Sequence, residues 1–111
     1  MSEPLALLMS DLVDSTGTTA RLGAETAQRL WADHDRLARS LLARWGGIEV
    51  DKSDGFLMIF EDATNATRYA LAYHRALATL PEPVQARVGI HVAPVDVRPN
   101  SDREVEFGAK P

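Results

Sequence analysis

Apolar positions recur along the chain with two different periods. Leu5 to Leu12 (Leu-Ala-Leu-Leu-Met-Ser-Asp-Leu) is a short, mostly apolar run, the pattern of a buried strand. Asp14, Ser15 and Thr16 are helix-start residues and Gly23 is a stop, which predicts a short helix between them. A longer helix is expected from Ala24 to Trp45. Its apolar residues Ala27, Leu30, Leu37, Leu41 and Trp45 recur at spacings of three, four and seven, one helical face. Gly46-Gly47 ends it. Ile48-Glu49-Val50 begins a strand and Phe56 to Phe60 forms another, with Lys52-Ser53-Asp54-Gly55 between them. Asp-Gly between apolar runs is a strong hairpin signal.

Asp62 or Thr64 can cap a third helix running to about Leu80, with Ala66, Ala70, Tyr73, Leu77 and Leu80 on its face. Pro81 and Pro83 break it. Val84, Ala86, Val88, Ile90 and Val92 alternate with polar residues, a half-buried strand. The stretch from Ala93 to Pro111 reads as a ragged hairpin. The order strand, helix, helix, strand, strand, helix, strand, hairpin is an α+β pattern, ferredoxin-like with its first crossover helix doubled (βααββαβ plus hairpin). In such a sheet the first strand lies antiparallel beside the third. Asp11, ending the first, and Asp54, opening the third, should then converge on one sheet edge.

Composition narrows the function. At 111 residues, the chain has room for one compact domain and not two. Hydrophobic residues at 45% and charged residues at 25% match ordinary globular proteins, which excludes disorder as the main state. With no cysteine, disulfides, thiolate zinc sites and thiol nucleophiles are excluded. A formal charge of -4 argues against a nucleic-acid binder relying on bulk positive charge. A polyanionic partner would need local cations such as metal ions. Met1-Ser2-Glu3-Pro4 lacks the basic start of a secretory signal, and no apolar stretch approaches the roughly 20 residues of a membrane span. A cytoplasmic chain is the expectation.

Converging carboxylates are hard oxygen ligands, the type chosen by magnesium, manganese or calcium. Beside Asp11, Leu12-Val13-Asp14-Ser15-Thr16-Gly17 is a strand-to-helix turn whose backbone N–H groups suit phosphate. Together they point to a nucleoside triphosphate and two-metal chemistry. The plainer alternative is that Asp11 or Asp14 caps a helix and Asp54 serves a turn. His34, His74 and His91 form no paired metal motif and read as structural. Arg29, Arg36, Arg39 and Arg44 alternate with acids on a solvated helix face, and Tyr69 and Tyr73 read as packing. Nucleophile-elbow and Gly-rich nucleotide loops are absent from the sequence.

Leu8-Met9-Ser10-Asp11-Leu12-Val13-Asp14-Ser15-Thr16 resembles the first metal-binding segment of class III nucleotidyl cyclases, the adenylate and guanylate cyclases. Val50-Asp51-Lys52-Ser53-Asp54-Gly55-Phe56-Leu57 is similar to their second metal segment, and Arg87-Val88-Gly89-Ile90-His91 to the strand that follows. The resemblance implies that residues 1–111 are the N-terminal part of a single cyclase catalytic domain. It implies conversion of ATP, or less often GTP, into the 3′,5′-cyclic nucleotide and pyrophosphate. Asp11 and Asp54 would hold two magnesium or manganese ions, with the Leu12 carbonyl as a further ligand. Val13, Asp14, Ser15 and Thr16 would surround phosphate, and Lys52 is the candidate base contact. A head-to-tail homodimer is implied as well.

Three departures accompany the resemblance. The family's purine-selecting Lys stands further before the second metal Asp than Lys52, and Ser53 replaces an intervening Gly. Asp14 stands where many members have Gly. The family's transition-state Asn and Arg belong to a segment after Phe107-Gly108, where this chain has only Ala109, Lys110 and Pro111. The chain therefore reads as the front two-thirds of a cyclase domain, inactive as a fragment. The competing function is a degenerate module that binds a nucleotide or partner without chemistry.

Overall fold

The computed structural model describes residues 4–52, 55–99 and 105–109. Among these residues, five strands and three α-helices follow one another as β1 (Pro4–Leu12), α1 (Ser15–Leu22), α2 (Ala24–Ser40), β2 (Ile48–Lys52), β3 (Gly55–Phe60), α3 (Ala63–Leu77), β4 (Ala86–Pro99) and β5 (Val105–Ala109). The sheet runs β2-β3-β1-β4-β5, antiparallel at every step. This is the α+β, ferredoxin-like order the sequence predicts. β1 lies at the centre, with Leu8 opposite Met58 on one side and Ile90 on the other.

The run in β1 is apolar on both faces, yet only one face is sealed. Ala6, Leu8 and Ser10 are buried under the helices, while Met9 is 61% exposed on the other side. Phe56, Met58 and Phe60 of β3 join them, and α3 closes the core with Ala66, Tyr69, Ala70, Tyr73 and Leu77. Tyr69 donates its hydroxyl to the Ala38 carbonyl at 2.8 Å, so burying this ring leaves no orphaned polar atom. Burial of a ring of this size is worth about 2–3 kcal/mol.

Helix boundaries follow local chemistry. Asp62 caps α3 by accepting the Asn65 N–H at 2.8 Å, and the face predicted for this helix is the buried one. α2 ends earlier than periodicity indicates. It stops at Ser40, and a 3-10 turn, Leu42–Trp45, carries the chain to Gly46, whose φ of 67° suits a residue without Cβ. The buried stripe of α2 is also rotated from expectation. Ala27, Leu30, His34 and Ala38 are buried, whereas Leu37, Leu41 and Trp45 are half-buried at its border. A polar residue, His34, lies in the middle of the stripe, which is why an apolar count misplaces it.

β4 is longer than predicted and pairs with β5 through Val95 to Pro99. The expected hairpin therefore exists, its connection at 100–104 and its last two residues lying outside the described residues. The alternation in β4 holds, but its burial fades along the strand. Ala86 and Val88 pack on the core, while Ile90 is 37% and Val92 50% exposed on the same face.

Candidate functional site

A cleft of about 680 Å³ opens on the sheet face opposite the helices, lined by Met9, Asp11, Asp51, Gly55, Leu57 and Arg87 among others. Strand register explains which side chains reach it. Asp11 pairs with Gly55 on one flank and Arg87 on the other. Directly paired residues point to the same face, so the Asp11 carboxylate and the Arg87 guanidinium share the cleft side. Asp11 is exposed there, as a ligand-binding carboxylate must be.

The second carboxylate of the sequence reading, Asp54, lies outside the described residues, as does Ser53. Its chain neighbour Gly55 is directly opposite Asp11, and the two strands approach closely at that point. A Cβ on Gly55 would run into the Ser10 carbonyl oxygen. Glycine is needed here because the backbone of the neighbouring strand occupies the space of a side chain.

β2 carries a bulge between Glu49 and Asp51. Glu49 pairs with Met58 and faces the helices, where it holds Arg39 of α2 at 2.7 Å. That hydrogen bond, more than the attraction of the charges, raises the Arg39 pKa above its ordinary value. The extra residue reverses the alternation, as a one-residue slip does. Asp51 pairs with Leu57 on the cleft side, and Lys52 pairs with Phe56 on the helix side. The Lys52 Nζ lies 5.3 Å from the centroid of the Phe56 ring, which is 2% exposed. Lys52, the candidate base contact, thus stands off the cleft, and Asp51 lines it instead. Sequence reasoning gave Asp51 and Arg87 no role. Register parity with Asp11 and Leu57 is the signal that finds them, and the bulge hides half of it.

The turn after β1 starts α1. Val13 donates its N–H to the Gln85 carbonyl at 2.9 Å, so this amide is committed to the β4 side. Ser15 and Thr16 are in the first helical turn, where amides have no preceding intrahelical carbonyl. Asp14 caps the helix from a left-handed backbone, φ 54° and ψ 45°, its carboxylate accepting the Gly17 N–H at 3.2 Å. An acidic side chain therefore sits beside the amides that suit an anion. Leu12 is the last residue of β1, opposite Ala86.

Among the described residues, no group of three or more His, Asp or Glu side chains is assembled for a metal ion. The donors available at the cleft, Asp11 and Asp51, are carboxylate oxygens, which fit magnesium or manganese in type. No helix of the described residues is long and apolar enough to cross a membrane.

No protein-family model matches the chain, and no curated protein sequence does so either. Solved structures do. A Trypanosoma brucei adenylate cyclase studied in its monomeric state superposes with a TM-score of 0.81 at 19% identity, over 96% of this chain and 64% of that one. The guanylyl cyclase Cya2 gives a TM-score of 0.81 at 21% identity, over 100% of this chain and 66% of its own. The adenylyl cyclase CyaB from P. aeruginosa gives 0.76 at 16% identity, over 100% and 67%. The chain has the fold of adenylyl and guanylyl cyclase catalytic domains and spans about two thirds of the length of these neighbours.

Proposed function

We propose that residues 1–111 are the front part of a nucleotidyl cyclase catalytic domain whose substrate is ATP, with GTP as the alternative. The observation that carries the reading is the register of Asp11 against Gly55 and Arg87, at an open cleft, in a fold shared with adenylyl and guanylyl cyclases. Asp11 and Asp54, with the Leu12 carbonyl, are the groups that would hold two magnesium or manganese ions. Such ions, when bound, lower the pKa of the ribose 3′-hydroxyl and neutralise the departing pyrophosphate.

The chain's own residues then divide the work. Arg87 provides a fixed cation on the cleft side, where triphosphate charge would otherwise be repelled by Asp11 and Asp51. The first-turn amides of Ser15 and Thr16 orient phosphate oxygens. The Asp14 carboxylate, which accepts the neighbouring Gly17 N–H, repels the same anion and weakens this contact. The sheet's open face, with Met9 and Ile48 each about 60% exposed, is the surface for a second copy in a homodimer. Attack of the 3′-hydroxyl on the α-phosphorus needs transition-state donors as well, and each such donor is typically worth about 10²–10³ in rate.

The test is calorimetric titration of manganese–ATP into the chain and into Asp11→Ala, with melting curves of both. We expect Asp11→Ala to weaken binding on the order of 10-fold or more, while its melting point stays near the wild-type value, because Asp11 is exposed. Equal affinity for both proteins would defeat the reading.

A further inference from the structure

Among the described residues, the buried polar or charged side chains besides the tyrosines are Ser10 at 8% and His34 at 2% exposure. They are far apart in the chain, yet Tyr73 joins them. His34 Nε2 lies 2.6 Å from the Tyr73 hydroxyl and its ring packs on Phe56 at 6.0 Å between centroids, while the Ser10 hydroxyl is the polar group that works against the rise in the Tyr73 pKa. Ser10 Oγ accepts the Phe56 N–H at 3.4 Å, and His34 Nδ1 lies 3.0 Å from a carboxylate oxygen of Asp35. No buried side-chain polar atom among the described residues lacks a partner.

The donors in this run can be assigned by elimination. A carboxylate only accepts, so His34 Nδ1 carries a proton, and in the neutral imidazole Nε2 accepts. Burial pushes the Tyr73 phenol up to about 12, against which the Ser10 bond acts weakly, so the phenol keeps its proton and donates to Nε2. Ser10 then donates to Tyr73 and is free to accept from Phe56. Every bond points the same way, from the Phe56 amide to the Asp35 carboxylate. One arrangement satisfies all members at once.

The run begins where the candidate site stands. Ser10 immediately precedes Asp11, and Phe56 immediately follows Gly55, the residue opposite Asp11. Apolar side chains of similar volume would fill the same core without any polar group. What the polar run adds is a directional hold on the β1–β3 ladder at its functional end, anchored on α2 and α3.

We propose that His34 is a positioning residue, which acts through Tyr73 and Ser10 to hold the Asp11–Gly55 pair in the geometry that receives a divalent cation. The inference rests on the metal reading of Asp11. The informative variants are Tyr73→Phe, which removes one hydroxyl from the run, His34→Leu, which removes both ring nitrogens, and His34→Gln, which keeps a polar group at the reach of Nε2. Circular dichroism and melting curves establish that each is folded, and Ser10→Ala replaces any that is not.

Two readouts then apply, manganese binding by paramagnetic resonance with manganese alone, and the amide NMR signals of Gly55 and Phe56 without metal. Folded Tyr73→Phe and His34→Leu are expected to shift both amides and to weaken manganese binding about 10-fold. His34→Gln is expected to recover most of that loss, which a merely space-filling role does not predict. Wild-type affinity and unmoved amides in folded Tyr73→Phe overturn the proposal while leaving Asp11 as a ligand. Manganese binding that is absent, or indifferent to Asp11→Asn, defeats the metal reading itself and the proposal with it.

Discussion

Replacing Gly55 by alanine sets a methyl group into the path of β1. Its Cβ would overlap the Ser10 carbonyl oxygen, with the Ser10 carbonyl carbon at 3.1 Å and the Asp11 Cα at 3.5 Å. All three atoms are backbone, and rotating a side chain cannot relieve the contact. Nor can β1 retreat, because Ser10 is paired with Phe56 on one side and Val88 on the other. Overpacking of this kind costs about 1–3 kcal/mol, and the rigid partner puts Gly55→Ala at the upper end. For a domain of this size that lowers the melting temperature on the order of 10 °C. Gly89 is the internal control. It sits opposite Met9 on the other flank of β1, a Cβ there meets nothing within 4 Å, and its φ is ordinary. Gly89→Ala should stabilise by about 0.4–1 kcal/mol, since alanine restricts the unfolded chain. Thermal melts followed by circular dichroism measure both. A Gly55→Ala curve that overlays the wild type, or a Gly89→Ala loss of equal size, refutes the reasoning.

The Asp14 cap and its left-handed backbone oppose one another. Asp14→Ala loses the cap and keeps the strain, a cost of about 1–2 kcal/mol, whereas Asp14→Gly should melt at or above the wild type and bind manganese–ATP more tightly; weaker binding by Asp14→Gly would show that the carboxylate helps rather than repels. Alkali should unfold the protein through its buried phenols. Burial holds Tyr73 at about 12 against an ordinary 10.0, and raises Tyr69 too. The folded state therefore favours the protonated phenol. This stabilisation is complete below pH 10 and is lost as pH rises through 12. Urea midpoints taken up that range should fall, and fall less in Tyr73→Phe; a flat profile contradicts the assignment.

The β2–β3 hairpin and α3 were legible because their signals are local. Asp-Gly after a strand, Asp62 before a helix and the three-and-four spacing from Ala66 to Leu77 each act within a few residues. The buried stripe of α2 was not legible, because His34 is buried against Tyr73 of another helix and Phe56 of the sheet. Exposure of Ile90 and Val92 was equally hidden, since alternation reports which face a residue occupies and not how far the helices extend over it. At the candidate site, Asp11 and its turn could be read from the run that precedes them. Lys52 and Asp51 could not, because the bulge in β2 exchanges their faces and leaves no mark in composition.

The central place of β1 also sets the order in which this protein can form. Leu8 pairs with Met58 and Ile90, so the first strand made must wait for partners about 50 and 80 residues later, a high contact order. At synthesis rates of about 5–20 residues per second, the second partner arrives some seconds after the first strand has been made. Through that interval the strand's apolar residues lack the neighbours that bury them, and other nascent chains compete for its edges. Among the described elements, the β2–β3 and β4–β5 hairpins and the helices can form from local contacts. The strand that carries Asp11, made before all its partners, is thus enclosed on both sides only when β4 emerges, and chaperone dependence during synthesis should exceed what the finished protein's stability would imply.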